Sequence, residues 1–281
     1  MTYAMIFPGQ GSQKKGMGRD LFDRYGALVE EADQILGYSV RALCLEDPDQ
    51  TLNQTQFTQP ALFVVNAMAG QVLLTEMDGP PVFVAGHSLG EYNALVMAGA
   101  LSFAHALELV KRRGALMAEA RNGGMAAVIG MDAQTVQARI NDHGLSGISV
   151  ANQNTPVQTV VSGDRDSIAA AKPLFEAEKG VRYVVLKVSG AFHAPPMADA
   201  AADFAGEVAR AAFRAPSIPV ISNVLAAPYP EQGAGELLCR QMVSPVRWMD
   251  SVRYMQAQGV KTFVEAGPGR VLTKMLKDIQ G

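Results

Sequence analysis

A serine lies in a glycine-flanked turn between two regular segments of the chain. Gly86-His87-Ser88-Leu89-Gly90 matches the pattern G-x-S-x-G, with an apolar run at 82–85 before it and a helical pattern at 91–98 after it. In a sharp strand-to-helix turn the glycines avoid clashes, the serine hydroxyl is exposed, and the helix N-terminus presents amide N–H groups to an oxyanion. The spacing therefore predicts that Ser88 is a nucleophile. The alternative is a tight turn that holds a serine by chance.

A serine nucleophile needs a base, and four histidines could supply one. We favour His193, because it follows the last strand of a predicted small domain, at a junction where clefts form. The others are His87, adjacent to the serine on the turn, His105, on a helix, and His143, at a helix end. No histidine follows His193, and the nearest downstream acid is Asp199. This order argues against a Ser-acid-His hydrolase triad and predicts a Ser–His dyad, oriented by a carbonyl group. A structural loop histidine is the alternative.

An arginine lies on an apolar helical stripe. On the predicted helix 102–121, Arg113 shares one face with Ala106, Leu109, Val110, Met117 and Ala120. Burying a guanidinium is costly unless it meets an anion. That anion could be a core Asp or Glu, or a substrate carboxylate bound by two parallel hydrogen bonds.

A glycine-flanked glutamine, Gln10, follows the first apolar run of the sequence. Its loop lacks the spacing of a phosphate-binding motif. Flanking glycines can instead bring the backbone N–H of Gln10 close to a reacting centre. A plain turn between strand and helix is the alternative.

The alternation of apolar runs and helical periodicity predicts an α/β fold with a parallel sheet covered by helices. The predicted strands of this part are 3–7, 82–85, 220–223 and 262–265. Its predicted helices are 19–36, 59–76, 91–98, 102–121, 197–212, 235–242 and 247–258, followed by a last helix.

A second pattern interrupts the first. Strands at 125–129, 147–152, 158–162 and 182–188, with helices at 132–143 and 167–179, give the order β-α-β-β-α-β, which is typical of a ferredoxin-like fold. We therefore expect a large domain, residues 1–123 and 193–281, with a small domain inserted at 124–192.

Composition narrows the function classes. The 281 residues carry 24 Lys plus Arg and 27 Asp plus Glu, a net charge of −3, which gives no electrostatic footprint for nucleic acid. Two cysteines, Cys44 and Cys239, are expected to be reduced, and no Cys or His pair has metal-ligand spacing. No run of 18 apolar residues and no basic leader segment occurs, so we expect a cytoplasmic protein without a membrane span.

A series of motifs, in order along nearly the whole chain, resembles that of the malonyl-CoA:acyl carrier protein transacylases. The matching segments are 7–13, 58–61, 86–92, 112–117, 124–127, 151–154, 192–193 and 265–269. The short, discrete chain is most similar to the trans-acting acyltransferases that load polyketide synthases. A housekeeping fatty acid enzyme is the close alternative.

The resemblance implies a hydrolase-like large domain with a ferredoxin-like insert, and it implies roles for individual residues. Ser88 would be the nucleophile and His193 the base. The remaining roles fall on Gln10 and Leu89 (oxyanion-hole amides), Arg113 (malonyl carboxylate), Gln241 (carbonyl that orients the histidine), and Asn154 and Phe192 (substrate cleft). Phe192 would crowd an α-methyl branch. Gly190 departs from the malonyl-type pattern, in which many relatives carry His.

The implied reaction is a ping-pong transfer of malonyl from malonyl-CoA to the phosphopantetheine thiol of an acyl carrier protein. It requires no metal and no cofactor beyond those substrates, and we expect a monomer that binds neither nucleic acid nor membrane. Since both partners are anionic, we expect basic residues at the cleft mouth, with Lys14, Lys15, Lys187 and Arg247 as candidates. An acyl hydrolase and a non-catalytic carrier-binding module are the alternatives, and Arg113 favours transfer.

Overall fold

A computed structural model describes residues 2–280 of the chain. From the N-terminus its elements are β1 Tyr3–Phe7, α1 Gly26–Leu36, α2 Val40–Leu45, α3 Thr55–Glu76, β2 Phe83–Gly86, α4 Gly90–Met97 and α5 Phe103–Glu119. The middle part contains β3 Gly123–Ile129, α6 Ala133–Asp142, β4 Ile148–Thr155, β5 Gln158–Asp164, α7 Arg165–Glu176 and β6 Arg182–Val185. A 3₁₀ turn at Pro195–Met197 leads to α8 Ala198–Arg210, β7 Val220–Ile221, α9 Ala234–Val243, α10 Trp248–Ala257, β8 Thr262–Glu265 and α11 Val271–Gln280.

The first sheet is parallel and has the strand order β7-β2-β1-β8. The central strand β1 is fully buried, with Met5 and Phe7 in one hydrophobic cluster and Ala4 and Ile6 in another. Burial of both faces explains why this strand is apolar at every position. Because all four strands run in the same direction, the loops that follow them meet at one edge of the sheet.

The second sheet is antiparallel, with the order β4-β5-β3-β6 and helices α6 and α7 between its strands. Its buried side chains form a third hydrophobic cluster. The β-α-β-β-α-β order and this topology confirm the predicted ferredoxin-like fold beside a parallel α/β sheet. The strands of this sheet lie between residues 123 and 185, and the domain boundaries at 124 and 192 stay a prediction.

Several predicted element boundaries were wrong. The helix predicted at 19–36 begins only at Gly26, because Tyr25 (φ −118, ψ 38) departs from helical backbone. The helix predicted to begin near Pro60 begins earlier, at Thr55, and contains the proline. The strand predicted at 182–188 ends at Val185. The remaining shifts are of one to three residues at element ends, where local signals are weakest.

The predicted caps are confirmed. The side chains of Ser102 and Asp132 accept hydrogen bonds from the backbone N–H groups of His105 and Thr135, at the starts of α5 and α6. Gly37 ends α1 in the left-handed conformation, with φ 83.

One helix of the described part, α3, is long and apolar enough to cross a membrane by length and composition alone. However, 67% of its most apolar window is buried inside the fold. Its apolar character is therefore explained by packing in the core of the first sheet.

Candidate active site

The turn that carries Ser88 is possible only because both flanking glycines lack a side chain. A Cβ atom on Gly86 would lie 1.9 Å from the carbonyl carbon of Gly90, and one on Gly90 would lie 2.1 Å from the carbonyl oxygen of Phe7. Ser88 itself adopts φ 52, a left-handed conformation that is costly for serine. The strain places the hydroxyl group at the edge where the parallel strands end.

An asparagine from the neighbouring strand holds this strained turn. The side-chain oxygen of Asn223, two residues after β7, accepts a hydrogen bond from the Ser88 backbone N–H at 2.7 Å. Its side-chain nitrogen donates to the carbonyl oxygen of Gly86 at 2.6 Å. Both peptide groups would otherwise be buried without partners, so Asn223 offsets part of the cost of the turn.

Ser88 and His193 are in direct contact. The Oγ atom of Ser88 lies 2.7 Å from Nε2 of His193, and the Nδ1 atom of that ring lies 2.7 Å from the backbone carbonyl oxygen of Gln241. Because a carbonyl group can only accept, Nδ1 carries the proton and Nε2 offers its lone pair to the serine. Burial and the nearby charge of Arg113 lower the pKa of His193 to about 3, so the imidazole is neutral at neutral pH.

Arg113 is fully buried and lies beside the dyad. It donates to the side-chain oxygens of Gln59 at 2.7 Å, Ser88 at 3.0 Å and Gln241 at 2.9 Å. Its guanidinium carbon also lies 5.7 Å from the centre of the Tyr92 ring. Among residues 2–280, no carboxylate forms a salt bridge with this arginine, and its Nε–H has no hydrogen-bond partner. The core Asp or Glu considered as its partner is therefore not in contact with it.

A buried glutamate lies behind Gln241. Glu91 is fully buried on α4, and it accepts hydrogen bonds from the Tyr229 hydroxyl, the Gln241 side-chain nitrogen and, at 3.1 Å, the Asn223 backbone N–H. Burial raises the pKa of Glu91 to about 7, although these hydrogen bonds and the charge of Arg113 act in the opposite direction. The cluster thus contains one group that titrates near neutral pH.

Two backbone amides are free to bind an oxyanion. Gln10 and Leu89 both line the cavity that contains Ser88. Within the described part of the chain, no protein group accepts a hydrogen bond from either backbone N–H. Gly9 allows the two loops to approach, because a Cβ atom there would lie 2.4 Å from the carbonyl oxygen of His87. The arrangement can therefore stabilise negative charge next to the serine.

These groups line a cavity of about 330 Å³ between the two sheets. The loops of the parallel sheet supply its polar floor, and the antiparallel sheet supplies much of its apolar wall. The apolar lining consists of Met117, Met125, Ala127, Val160, Leu186, Val188, Phe192, Val271, Leu272 and Met275. A cavity of this size with a few convergent polar groups is typical of a small-molecule site.

Asn154 and Phe192, the two residues expected in the substrate cleft, also line the cavity. The side-chain oxygen of Asn154 accepts a hydrogen bond from Nε2 of His87 at 2.9 Å, and its side-chain nitrogen donates to Gln158 at 3.0 Å. His87 therefore lines the cavity and contacts Asn154 rather than Ser88. Phe192 is buried, and Gly190 makes room for its ring, since a Cβ atom there would lie 2.3 Å from it.

The predicted basic residues are placed unequally. Lys187 is exposed and lies between Leu186 and Val188, which line the cavity. Arg247 pairs instead with Asp250 at 2.8 Å, so an adjacent carboxylate offsets part of its charge. Lys14 and Lys15 are exposed in the turns that follow β1 and do not line the cavity.

Three polar residues of the cluster were not predicted from the sequence: Glu91, Asn223 and Gln59. Asn223 could have been found, because it follows a strand whose end lies at the same edge as Ser88. A glutamate in the first turn of the helix after the serine is also a recognisable signal, but at a helix start it is usually assigned to the helix dipole.

The site combines a strained serine, a histidine oriented by a backbone carbonyl group instead of a carboxylate, and two backbone amides without a protein acceptor within residues 2–280. This combination is typical of enzymes that act through an acyl-serine. Comparison with known proteins agrees. The sequence model of the acyl transferase domain matches residues 4–280, and the chain belongs to the acyl transferase family.

The relatives that it resembles are described as follows. The polyketide biosynthesis malonyl CoA-acyl carrier protein transacylase BaeC of Bacillus velezensis is 49% identical over 281 residues, which cover 100% of this chain and 96% of that one. The polyketide biosynthesis protein ThaF of Burkholderia thailandensis is 50% identical over 277 residues, covering 99% of this chain. The match spans only 24% of ThaF.

A solved structure shows the same fold. The malonyl CoA-acyl carrier protein transacylase of Burkholderia pseudomallei superposes with a TM-score of 0.96 at 46% sequence identity, covering 100% of this chain and 98% of that one. Identity at this level means that the fold and its two sheets are shared.

Proposed function

We propose that this acyltransferase moves a malonyl group from malonyl-CoA to the phosphopantetheine thiol of an acyl carrier protein. The observation that carries the proposal is Arg113, a fully buried cation beside the nucleophile without a carboxylate partner in the described structure. A buried guanidinium is stabilised by a carboxylate at its planar edge. The free carboxylate of a malonyl group, one methylene from the reacting carbonyl, would supply it.

The hydrogen bonds of Arg113 leave one suitable edge. Gln59 occupies a donor of one terminal nitrogen and Gln241 a donor of the other, while Nε–H is unpartnered. A carboxylate bound to Nε and the adjacent terminal nitrogen would replace only the contact with Ser88 Oγ. Binding would thereby release the lone pair of Ser88 Oγ that accepts from Arg113, and the hydrogen bond from Ser88 to His193 would remain.

The reaction then follows from the positions of the atoms. Ser88 Oγ attacks the thioester carbonyl as its proton moves to Nε2 of His193, and the amides of Gln10 and Leu89 stabilise the oxyanion. The C–S bond breaks, and the CoA sulfur receives the proton from His193. In the second half of the reaction, the carrier thiol loses its proton to His193 and attacks the acyl carbonyl. The ester bond to Ser88 then breaks, and Ser88 Oγ receives the proton from His193.

The nucleophile, base, oxyanion donors and carboxylate clamp are all supplied by the chain, so the proposed reaction uses no metal or further cofactor. The similarity to BaeC and ThaF supports a trans-acting role in polyketide synthesis; supply of malonyl groups to fatty acid synthesis is the alternative. We further propose a cytoplasmic monomer that binds neither nucleic acid nor membrane.

An acyl hydrolase is the competing function, because the same dyad could direct water onto the acyl-serine. The test is to mix the protein with malonyl-CoA, follow its intact mass, and then add a carrier protein with its phosphopantetheine arm. We expect a malonyl adduct on Ser88 that persists until the carrier is added, with Ser88→Ala as the control. Release of free malonate without a lasting adduct would indicate a hydrolase, and no reaction would indicate a binding module.

A further inference from the structure

The polar cluster behind the dyad contains a glutamate for which the acyl transfer steps have no use. Glu91 does not contact Ser88 Oγ, the His193 ring or the cavity. It is nevertheless fully buried and accepts three hydrogen bonds. Keeping a carboxyl group in the core is costly, so its contacts indicate what it does.

Gln241 connects this glutamate to the arginine. The side-chain oxygen of Gln241 accepts from Arg113 at 2.9 Å, and its nitrogen donates to Glu91 and, at 3.0 Å, to the backbone carbonyl oxygen of Ser88. Arg113 can only donate and the Ser88 carbonyl can only accept, so this orientation of the amide satisfies every partner. It requires an acceptor at Glu91.

We propose that Glu91 is a positioning residue that orients the Gln241 amide and thereby holds Arg113 ready for the substrate carboxylate. The inference rests on the proposed function, since it assigns to Glu91 the choice of a carboxylated acyl group. If Glu91 presented a donor instead, the Gln241 amide would turn and direct its NH₂ group at the guanidinium. Arg113 would then lose one of the two glutamine side chains that fix its plane.

The structure indicates why replacement by glutamine should have this effect. On the far side of Glu91, Oε1 accepts from two donors, the Asn223 backbone N–H and the Tyr229 hydroxyl. A glutamine at position 91 would keep its oxygen on that side and turn its nitrogen toward Gln241. Glu91→Gln thus preserves shape and reverses the polarity of a single contact.

Other ionisable groups near Glu91 do not titrate between about pH 5 and pH 8. Arg113 stays charged, burial raises the pKa of Tyr92 and of Tyr229 above its ordinary value, and the pKa of His193 lies at about 3. Burial also raises the pKa of Cys239. Since the pKa of Glu91 is about 7, preference for malonyl over acetyl should fall as the pH is lowered through neutrality.

The test compares acylation of Ser88 by malonyl-CoA and by acetyl-CoA, because the acetyl group has no carboxylate. At about pH 9, we expect Glu91→Gln to lower the malonyl rate constant about tenfold, the effect of one charged hydrogen bond, and to change the acetyl rate constant much less. Tyr229→Phe is the matched control. It removes a hydrogen bond that lowers the pKa of the same carboxylate but leaves the contact with Gln241, so with both variants compared at about pH 9, where Glu91 stays ionised, the malonyl-to-acetyl ratio of Tyr229→Phe should not change.

Equal losses with both acyl groups, or an equal change of the ratio in Tyr229→Phe, would overturn the proposal and leave Glu91 a structural residue. The wild-type protein gives a second measurement that does not depend on folding of a variant. Its malonyl-to-acetyl ratio should fall between about pH 8 and pH 6, and a constant ratio would contradict the role of Glu91. Absence of any malonyl adduct in the wild type would instead refute the proposed function.

Discussion

At the scale of single residues, the cluster separates chemistry from selectivity. In the proposed reaction, His193 takes the serine proton, while Arg113 holds the acyl group by its carboxylate. Gln241 serves both residues, because its backbone carbonyl orients the imidazole and its side chain contacts the guanidinium. Substitutions at these positions should therefore have different kinetic effects.

Removing the base should slow acylation for every acyl group. We expect His193→Ala to lower the rate of Ser88 acylation about 10²- to 10⁴-fold, because proton removal from the hydroxyl is lost. His87→Ala is the control, since His87 lines the same cavity but contacts Asn154 rather than the serine. The rate of Ser88 acylation in both variants can be measured from the burst phase of the reaction with malonyl-CoA. Comparable losses in the two would contradict the assignment of the base.

The pH dependence of the base follows from its lowered pKa. His193 is the basic form above about pH 3, whereas an exposed histidine would lose activity below its ordinary pKa of 6.5. The acetyl group avoids the titration of Glu91, so acylation by acetyl-CoA should stay constant from about pH 8 to about pH 5. The rate of acylation can be measured by stopping the reaction at intervals and determining the mass of the protein. A fall of this rate near pH 6.5 would show that the imidazole is not desolvated.

Removing the clamp should affect malonyl alone. Arg113→Ala should lower malonyl acylation by about two to three orders of magnitude, as expected for truncation of one partner of a buried charged contact. Acetyl transfer should be retained or increased. The neighbouring Arg112, which is only partly buried and does not line the cavity, provides the control variant Arg112→Ala. Unchanged malonyl preference in Arg113→Ala would refute the clamp.

At the scale of elements, the site depends on how closely β1, β2 and α4 approach one another. The glycines at both ends of the turn let backbone contact backbone, and Asn223 holds the strained serine from a third strand. The conformation of Ser88 therefore depends on residues that do not themselves react, namely the two glycines of the turn and Asn223.

A methyl group at the turn should disrupt this packing. Gly86→Ala should destabilise the fold by about 3 kcal/mol or more, because the new Cβ would overlap the backbone of Gly90. Gly206→Ala is the control, since Gly206 is exposed within α8 and a Cβ there meets no atom within 4 Å. It should raise stability by about 0.5–1 kcal/mol. Thermal unfolding distinguishes the two, and similar melting temperatures would contradict the steric argument.

The sequence allowed the order and type of most elements to be predicted, because buried parallel strands and helix caps leave local signals. The start of the first helix could not be predicted, since the turns at 18–25 keep enough helical periodicity to hide the break at Tyr25. The polar cluster is harder still. Ser88 and Asn223 are 135 residues apart, and Glu91 and Gln241 are 150 residues apart, so no local pattern connects them.

At the scale of the whole molecule, the cavity lies between two sheets of different architecture. The parallel sheet supplies the reacting groups and the antiparallel sheet supplies apolar wall. A net charge of −3 gives no general attraction for anionic partners. We therefore expect recognition of a carrier protein to depend on local positive charge, and Lys187 is an exposed cation between two residues of the cavity lining.

Reversing that charge should weaken docking without affecting chemistry. Lys187→Glu should raise the KM for the carrier protein, most strongly at low salt, and should leave Ser88 malonylation rates at saturating malonyl-CoA unchanged. Lys179→Glu is the control, because it makes the same charge change at an exposed position that precedes the first residue of β6. Transfer assays at two ionic strengths compare the variants. An equal effect of both would mean that only net charge matters.

The distance along the chain between Ser88 and His193, 105 residues, has a consequence for biosynthesis of the protein. The entire antiparallel sheet lies between them, so a ribosome completes the nucleophile long before the base exists. Closing so long a loop is slow and comes late in folding. We therefore expect a nascent or partly folded chain to be inert toward acyl thioesters, and the yield of acyl-serine in a stoichiometric titration to count only molecules that have completed folding.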